Sequence, residues 1–532
     1  MQKLNLPRRL VVSIRCLFAL VLFLPSAVLS TPTSGEQAKR VVQNWLAADK
    51  RPLNEYLGAS VSHVETFRDD NEQPLYHIVN VEPDGFVIIS GDDFVEPIIG
   101  FAASGDYDPS HENPLGALVT QDVPGRVHQA RAVQRQGSGG GMEYLSDKFQ
   151  AAKKKWGLYD HDPYDNTQEY GLGSISDVRV APFLTTSWNQ QTESGDNQCY
   201  NLYTPNNYPS GCVATAAAQL MRYFQFPTTS VGTGSYEIKV DNVYQTANLL
   251  GGDGSGGAYN WGLMSDGPAV PDLSHRHAIG RLVHDAGISV NMSYTASVSG
   301  TDTMKVADAL TGTFGYSNAV KGYNSGSNIP STDLNNMANP NLDTGYPVIF
   351  GITGSSGGHA IVGDGYGYNS STLYHHMNMG WGGSYNAWYN LPTIDTFVDF
   401  TSVYKTVYNV YTTGSGEIVS GRVTDSSGNP INGAAVTAVR SGGGTYSTTT
   451  GAKGIYALAK IPSASTYTVS VIASGYTFSD QTVSTLTSAD YTAPSYVSTV
   501  GNKWGVNFVD GGSAEDKKPT IAPILLLLLR QS

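Results

Sequence analysis

Apolar positions at Ala38, Val41, Val42, Trp45 and Leu46 fall on one helical face and predict an amphipathic helix over residues 35–46. Short apolar stretches at 75–81, 85–90 and 97–101 then read as strands, the second closed by Gly91-Asp92-Asp93. Helical spacing returns in the second half of 121–136 and again over 146–156, on either side of a flexible glycine break at 137–141. Residues 159–174 are polar, rich in Asp, Gly and Tyr, and read as a linker exposed to proteolysis. Beyond it, helices at 212–223, 277–286 and 303–314 precede strands at 347–353, 359–364, 373–377 and 387–391. Helices first and strands second is the order of an α+β unit, here placed at 176–411. Residues 416–500 change character. Strands recur there at a spacing of about ten residues with turn signals between them, which predicts a small all-β sandwich.

The N-terminus sets the compartment. Lys3, Arg8, Arg9 and Arg15 precede an apolar run at 16–24, Pro25 follows, and small residues lead to a cleavage point after Ser30. Residues 1–30 therefore read as a secretory signal peptide, too short to anchor the mature chain in a membrane. Cys16, preceded by Ile14-Arg15, stands in a poor lipidation context. The tail at 511–532 is polar and then apolar over 521–529, again too short to span a bilayer.

Composition agrees with export. Charged residues make up 14% of the 532-residue chain, against about 25% in average domains. Glycine is abundant and Tyr outnumbers Phe by 32 to 16, the profile of a β-rich, weakly charged extracellular protein. A net charge of −13 with no basic stripe argues against a nucleic-acid partner. Without the signal, two cysteines remain, Cys199 and Cys212, and their spacing leaves open whether they pair with each other.

The candidate chemistry centres on Gly211-Cys212-Val213-Ala214-Thr215-Ala216-Ala217-Ala218-Gln219. A lone cysteine follows a glycine turn at the head of a helix, where the partial positive charge of the N-terminus favours thiolate over thiol. The competing reading is a small buried cysteine in an Ala-rich core helix. A cysteine nucleophile needs a base, a group to orient the base, and donors for the oxyanion. Beyond the linker the histidines are His275, His277, His284, His359, His375 and His376. The first three fall in or beside a polar helix, where solvated or capping roles are expected. His359 follows the glycine-rich 354–358 and opens a strand, so backbone and substrate can approach it closely. No zinc-type ligand spacing occurs, and the glycine-rich 251–257 lacks the Lys-Ser/Thr ending of a phosphate loop, so no cofactor is expected.

Taken together, Trp188-Asn189-Gln190, Tyr200-Asn201, Gly211 through Gln219, Gly358-His359-Ala360 and Asn378-Met379-Gly380-Trp381-Gly382-Gly383 occur in the order found in streptopain-like cysteine peptidases. The segments 287–294 and 85–93 also resemble the family, the second lying in its propeptide. The resemblance covers roughly residues 31–391 and implies a papain-like α+β peptidase fold. It makes Cys212 the nucleophile, His359 the general base and then acid, and Gln190 an oxyanion donor beside the Cys212 backbone N–H. Asn378 would orient or shield His359, with Gly358, Trp381 and Met379 lining or shielding the site. Two departures stand out: Met379 where the family usually carries tryptophan, and the insertion 192–198 with Cys199 beside it. Residues 31–175 would then be a propeptide acting as intramolecular inhibitor, removed by a cut within 159–180.

Residues 418–500 resemble the carboxypeptidase regulatory-like, transthyretin-type sandwiches through Gly421-Arg422-Val423-Thr424-Asp425, Gly454-Ile455-Tyr456 and Tyr467-Thr468-Val469. Such a module would space the enzyme or touch a glycan or cell surface. The function expected is a secreted, zymogenic cysteine endopeptidase acting on proteins or peptides. A cell-wall peptide amidase of the same papain-like group, or a catalytically dead surface binder, are the alternatives.

Overall fold

The computed structural model describes residues 30–58, 60–136, 142–160, 176–193, 197–267, 272–324, 328–354, 357–391, 402–490 and 498–511. The signal, the glycine break, most of the linker and the tail expected above lie outside these residues. Helix α1 (Gly35–Ala48) starts at Ser34, whose hydroxyl accepts from the Gln37 N–H while the Gln37 side chain accepts from the Ser34 N–H. Its apolar face, Ala38, Val41, Val42 and Trp45, is fully buried against Val79, Val81, Val87 and Ile89. Those residues belong to a meander of β1 (Ser60–Arg68), β2 (Pro74–Glu82), β3 (Phe86–Ser90) and β4 (Ile98–Ala102). Helices α2 (Pro114–Gln136) and α3 (Met142–Tyr159) complete the N-terminal unit. Tyr159, expected to open the linker, is buried at the end of α3.

Strand β5 (Ser176–Val180) and the short hairpin β6 (Thr192–Glu193) and β7 (Asn197–Gln198) lead into α4 (Cys212–Phe224). A three-stranded sheet of β8 (Ser235–Val240), β9 (Val243–Asn248) and β10 (Ser293–Tyr294) flanks α5 (Leu273–Ser289). Then come α6 (Lys305–Gly312), β11 (Asn318–Tyr323), α7 (Ser331–Asp343), β12 (Val348–Gly354), β13 (Gly357–Asn369), β14 (Thr372–Asn378), β15 (Ala387–Tyr389) and β16 (Val403–Tyr411). The expected α+β arrangement is found, with α4 and α5 forming a buried core over an antiparallel sheet.

The two units share that sheet. Its strand order is β1-β2-β3-β4-β15-β14-β13-β12-β16-β11, with β5 also paired to β13. The seam is β4 on β15, antiparallel, with Trp388 opposite Phe101 and Tyr389 opposite Gly100. Gly100 is required there, because a Cβ would come within 2.8 Å of the Trp388 carbonyl and the Tyr389 ring. Beside the seam, Arg126 donates to Asp122 (2.6 Å) and to the side chain and carbonyl of Asn390 (2.8 and 2.5 Å), all buried. At the far end of β13, Trp45 Nε1 donates to Asn369 Oδ1 at 3.0 Å.

Strand β13 runs five residues beyond the end expected at position 364. Its glycines at 365 and 367 do not break the strand; they leave room for β5, whose backbone would lie 2.9–3.0 Å from a Cβ at either position. His284, expected to be solvated, is buried and its Nδ1 meets Asp285 at 2.9 Å.

The C-terminal sandwich packs β17 (Glu417–Thr424), β18 (Ala435–Arg440), β19 (Thr445–Thr449), β20 (Ile455–Ile461), β21 (Thr466–Ile472), β22 (Gln481–Ser484) and β23 (Phe508–Val509) into two sheets, β20-β17-β23 and β19-β18-β21-β22. It therefore reaches past the boundary expected at 500. Nor does it hang free. Asp343 at the end of α7 accepts from Tyr366 of β13 and from Ser420 of β17, each at 2.7 Å. Arg422 meets Asp177 of β5 at 3.2 Å, and Asn341, Asn409 and Asn502 form a buried amide chain across the same junction.

Candidate active site

Helix α4 begins on Gly211, whose φ of +88° and lack of a side chain let the chain turn beneath the Ser299 carbonyl. Cys212 is the first helical residue and is buried. Across from it, β13 carries His359, paired with Ile352 of β12. His359 Nε2 lies 2.7 Å from the carbonyl oxygen of His111, in the turn before α2. A carbonyl only accepts, so Nε2 carries the proton and Nδ1 is the basic nitrogen. Nδ1 is buried, and the side-chain group that interacts with the ring is the Cys212 thiol.

The thiol and the imidazole perturb each other in the sense that makes an ion pair. Burial pushes the Cys212 thiol up, but the His359 side chain, with the Ala360 and Val213 backbone N–H groups, pulls it below its ordinary value. For His359 burial pushes down, while Cys212 and the His111 carbonyl raise it more. Cys199 behaves oppositely: it is a buried free thiol pushed well up by burial, and Cys212 is likewise free. The pairing of the two cysteines left open by the sequence is thus absent.

Gln190 reaches the same end of α4 through its backbone. Its carbonyl accepts the Ser210 N–H at 2.8 Å, two residues before the nucleophile. Gly358 precedes His359 in β13, where a Cβ would sit 2.8 Å from the Ile352 carbonyl.

Asn378 lies on β14 beside β13, as expected, opposite Val362. Its hydrogen bonds, however, go elsewhere than to the His359 ring. Oδ1 accepts from Gln219 Nε2 (3.2 Å) and the Gly380 N–H (3.0 Å), and Nδ2 donates to the Thr186 carbonyl (2.6 Å). Met379 is fully buried in the core between the sheet and α2, and Trp381 packs half-buried against the same core. The loop that carries Trp381 is tied back to the Gln190 segment by the Gly382 N–H on the Trp188 carbonyl at 3.0 Å.

His375 and His376 have structural partners. Burial depresses His375 to about 3 while its Nε2 meets Asn339 at 2.7 Å, and His376 Nδ1 meets Asp364 at 2.6 Å. Two participants escaped the sequence reading. Gln219 had a faint signal, being a polar residue two helical turns from Cys212 at the end of the motif that opens on Gly211. His111 had none, since its contribution is a backbone carbonyl from 248 residues away.

The segment 188–389 matches the Peptidase C10 family. Ahead of this match, residues 30–121 match the Spi protease inhibitor family, and after it residues 418–494 match the carboxypeptidase regulatory-like domain. The chain is 26% identical over 341 residues to streptopain of Streptococcus pyogenes, covering 60% of this chain and 74% of that protein. It is 28% identical over 360 residues to the thiol protease/hemagglutinin PrtT of Porphyromonas gingivalis, covering 67% of this chain and 38% of PrtT. Among solved structures, a prointerpain A fragment of Prevotella intermedia aligns with a TM-score of 0.40 at 20% identity, over 66% of this chain and 99% of the fragment. The matches to an inhibitor-type propeptide, a C10 peptidase and a regulatory-like sandwich follow one another in the order expected from the sequence, and together they support a cysteine peptidase zymogen.

Proposed function

We propose that the chain is an exported cysteine endopeptidase that hydrolyses peptide bonds through an acyl-enzyme on Cys212. The observation that carries the proposal is the opposed perturbation of Cys212 and His359, thiol down and imidazole up, against what burial alone would do. The Cys212 thiolate attacks the scissile carbonyl carbon, and the resulting oxyanion is held by the Cys212 N–H and the Gln190 side-chain amide. Protonated His359 gives its Nδ1 proton to the leaving amine, and the C–N bond breaks to leave a thioester. His359 then takes a proton from water, the hydroxide adds to the thioester, and collapse returns the thiolate and the product acid. One oxyanion donor is worth about 10²–10³ in rate in comparable hydrolases.

The precursor is latent because the propeptide engages the same imidazole. As long as His111 accepts from Nε2, the turn before α2 stands where the site must open. The test is peptide release from denatured casein by matured protein under reducing conditions. Wild type is compared with Cys212→Ala, each with and without a thiol-directed epoxide. Activity abolished by both is expected. A wild type fully processed yet inert toward casein overturns the reading, and hydrolysis confined to cell-wall peptides would make it an amidase.

A further inference from the structure

Between α4 and the sheet, one buried amide holds three segments that converge on the site. Gln219 Oε1 accepts from Thr186 Oγ1 at 2.8 Å and lies 3.4 Å from the Trp188 N–H, while its Nε2 donates to Asn378 Oδ1 at 3.2 Å. Asn378 Nδ2 closes the ring on the Thr186 carbonyl at 2.6 Å. Gln219, Asn378 and Thr186 are all buried. No flipped arrangement fits, because the Trp188 N–H can be met only by an oxygen and the Gly380 N–H fixes Asn378 Oδ1 as an acceptor.

Gln219 stands on the helix that Cys212 opens, and its oxygen grips the stretch 186–188 immediately before Gln190. Thr215 Oγ1 of the same helix donates to the Asn189 carbonyl at 3.3 Å, and two further contacts on either side of it fix where Gln190 sits relative to Cys212. One is the Gln190–Ser210 bond, and the other is this amide. We infer that Gln219 is a positioning residue for the oxyanion site: it sets the distance between the Gln190 segment and the nucleophile helix. The inference rests on the reading of Cys212 as nucleophile and Gln190 as oxyanion donor.

A residue that acts through the oxyanion site has a signature that a merely stabilising one lacks. Peptide hydrolysis passes through a tetrahedral oxyanion, whereas alkylation of the thiolate by iodoacetamide forms an S–C bond, expels iodide and develops no oxyanion. The experiment uses full-length precursor processed by an added serine protease, with active thiol counted by epoxide titration so that misfolded protein drops out. For Gln219→Met, kcat per titrated thiol is expected to fall at least about tenfold with KM within about twofold, while the iodoacetamide rate stays at the wild-type value. Gln219→Glu keeps an oxygen for Thr186 and Trp188, but its other oxygen can face Asn378 Oδ1 only when protonated, so partial recovery relative to wild type is expected at acid pH and not at neutral pH. Unchanged kcat per thiol in Gln219→Met overturns the inference even if the melting temperature falls. So does a parallel loss of hydrolysis and alkylation, which would locate the effect in the Cys–His pair. A wild type that takes up epoxide but hydrolyses nothing sinks the peptidase reading itself, and the inference with it.

Discussion

Burial alone would leave Cys212 a thiol and His359 a neutral imidazole, the inert combination. Their contact reverses both tendencies, moving the thiol down from 9.0 and the imidazole up from 6.5, and once the two values cross, a thiolate–imidazolium pair fills the interval between them. The sign follows directly. Acid protonates the sulfur below that interval, and base removes the imidazolium proton above it. The pH profile of kcat/KM should be bell-shaped, and alkylation of Cys212 should reach a plateau well below pH 9. Only a single rise near the ordinary thiol value would speak against the pair. The His111 carbonyl is one of the groups that raise His359, so its departure on maturation should shift the alkaline limb downward. Cys212 and His359 were legible in sequence because each sits in a glycine-marked local setting, a helix start and a strand start. Gln190, Asn378 and Gln219 acquire their roles from partners as much as 192 positions away, and no local pattern encodes those.

At the scale of elements, legibility followed periodicity. Helix α4 is apolar and strong in helix formers, and its residues Cys212 through Met221 are all buried. Helix α7 was missed because its sequence is mostly polar and carries Pro340 inside the last turn; Leu334, Met337, Ala338 and Leu342 nevertheless pack into the core. β1 was missed for a related reason: one face is exposed and the register with β2 slips twice. The seam between propeptide and C10 domain was invisible, since nothing in residues 98–102 or 387–389 says that they pair. Its chemistry is testable through Arg126. Replacing Arg126 by Met leaves the buried Asp122 carboxylate with the Tyr389 hydroxyl at 2.7 Å as its remaining partner. Losing one member of a buried pair typically costs about 3–5 kcal/mol. The precursor should melt at a lower temperature and shed its propeptide faster, whereas protein matured by the proposed cut within 159–180 would lack residue 126 and should be unaltered. Identical melting of the two precursors would refute this.

In the whole molecule, Asp343 joins C10 domain and sandwich. It is half-buried at the junction, and desolvation raises its carboxyl to about 7, against the hydrogen bonds from Ser420 and Tyr366 and the charge of Arg179. A carboxyl raised on folding holds its proton in the native state after the unfolded chain has released it. Stability should therefore decline as pH rises from about 3.8 to about 7 and level off beyond. Each unit of the shift corresponds to about 1.4 kcal/mol. Asp343→Asn should flatten that part of the stability curve, read as melting temperature against pH, and an unchanged slope would show that another group carries it. Such a junction also makes the sandwich a wall of the enzyme and not a tether.

The shared sheet has one more consequence. In the precursor β15 is an interior strand, with β14 on one side and β4 on the other, and Trp388 and Tyr389 are almost entirely covered. Under the proposed maturation β4 would leave, and the three residues of β15 would become a rim: a row of unpaired amides and carbonyls with two large aromatic side chains newly wetted. Such a cut would give the enzyme an adhesive border, one that self-association, a returning propeptide or an extended chain from outside would each satisfy by the same hydrogen bonds.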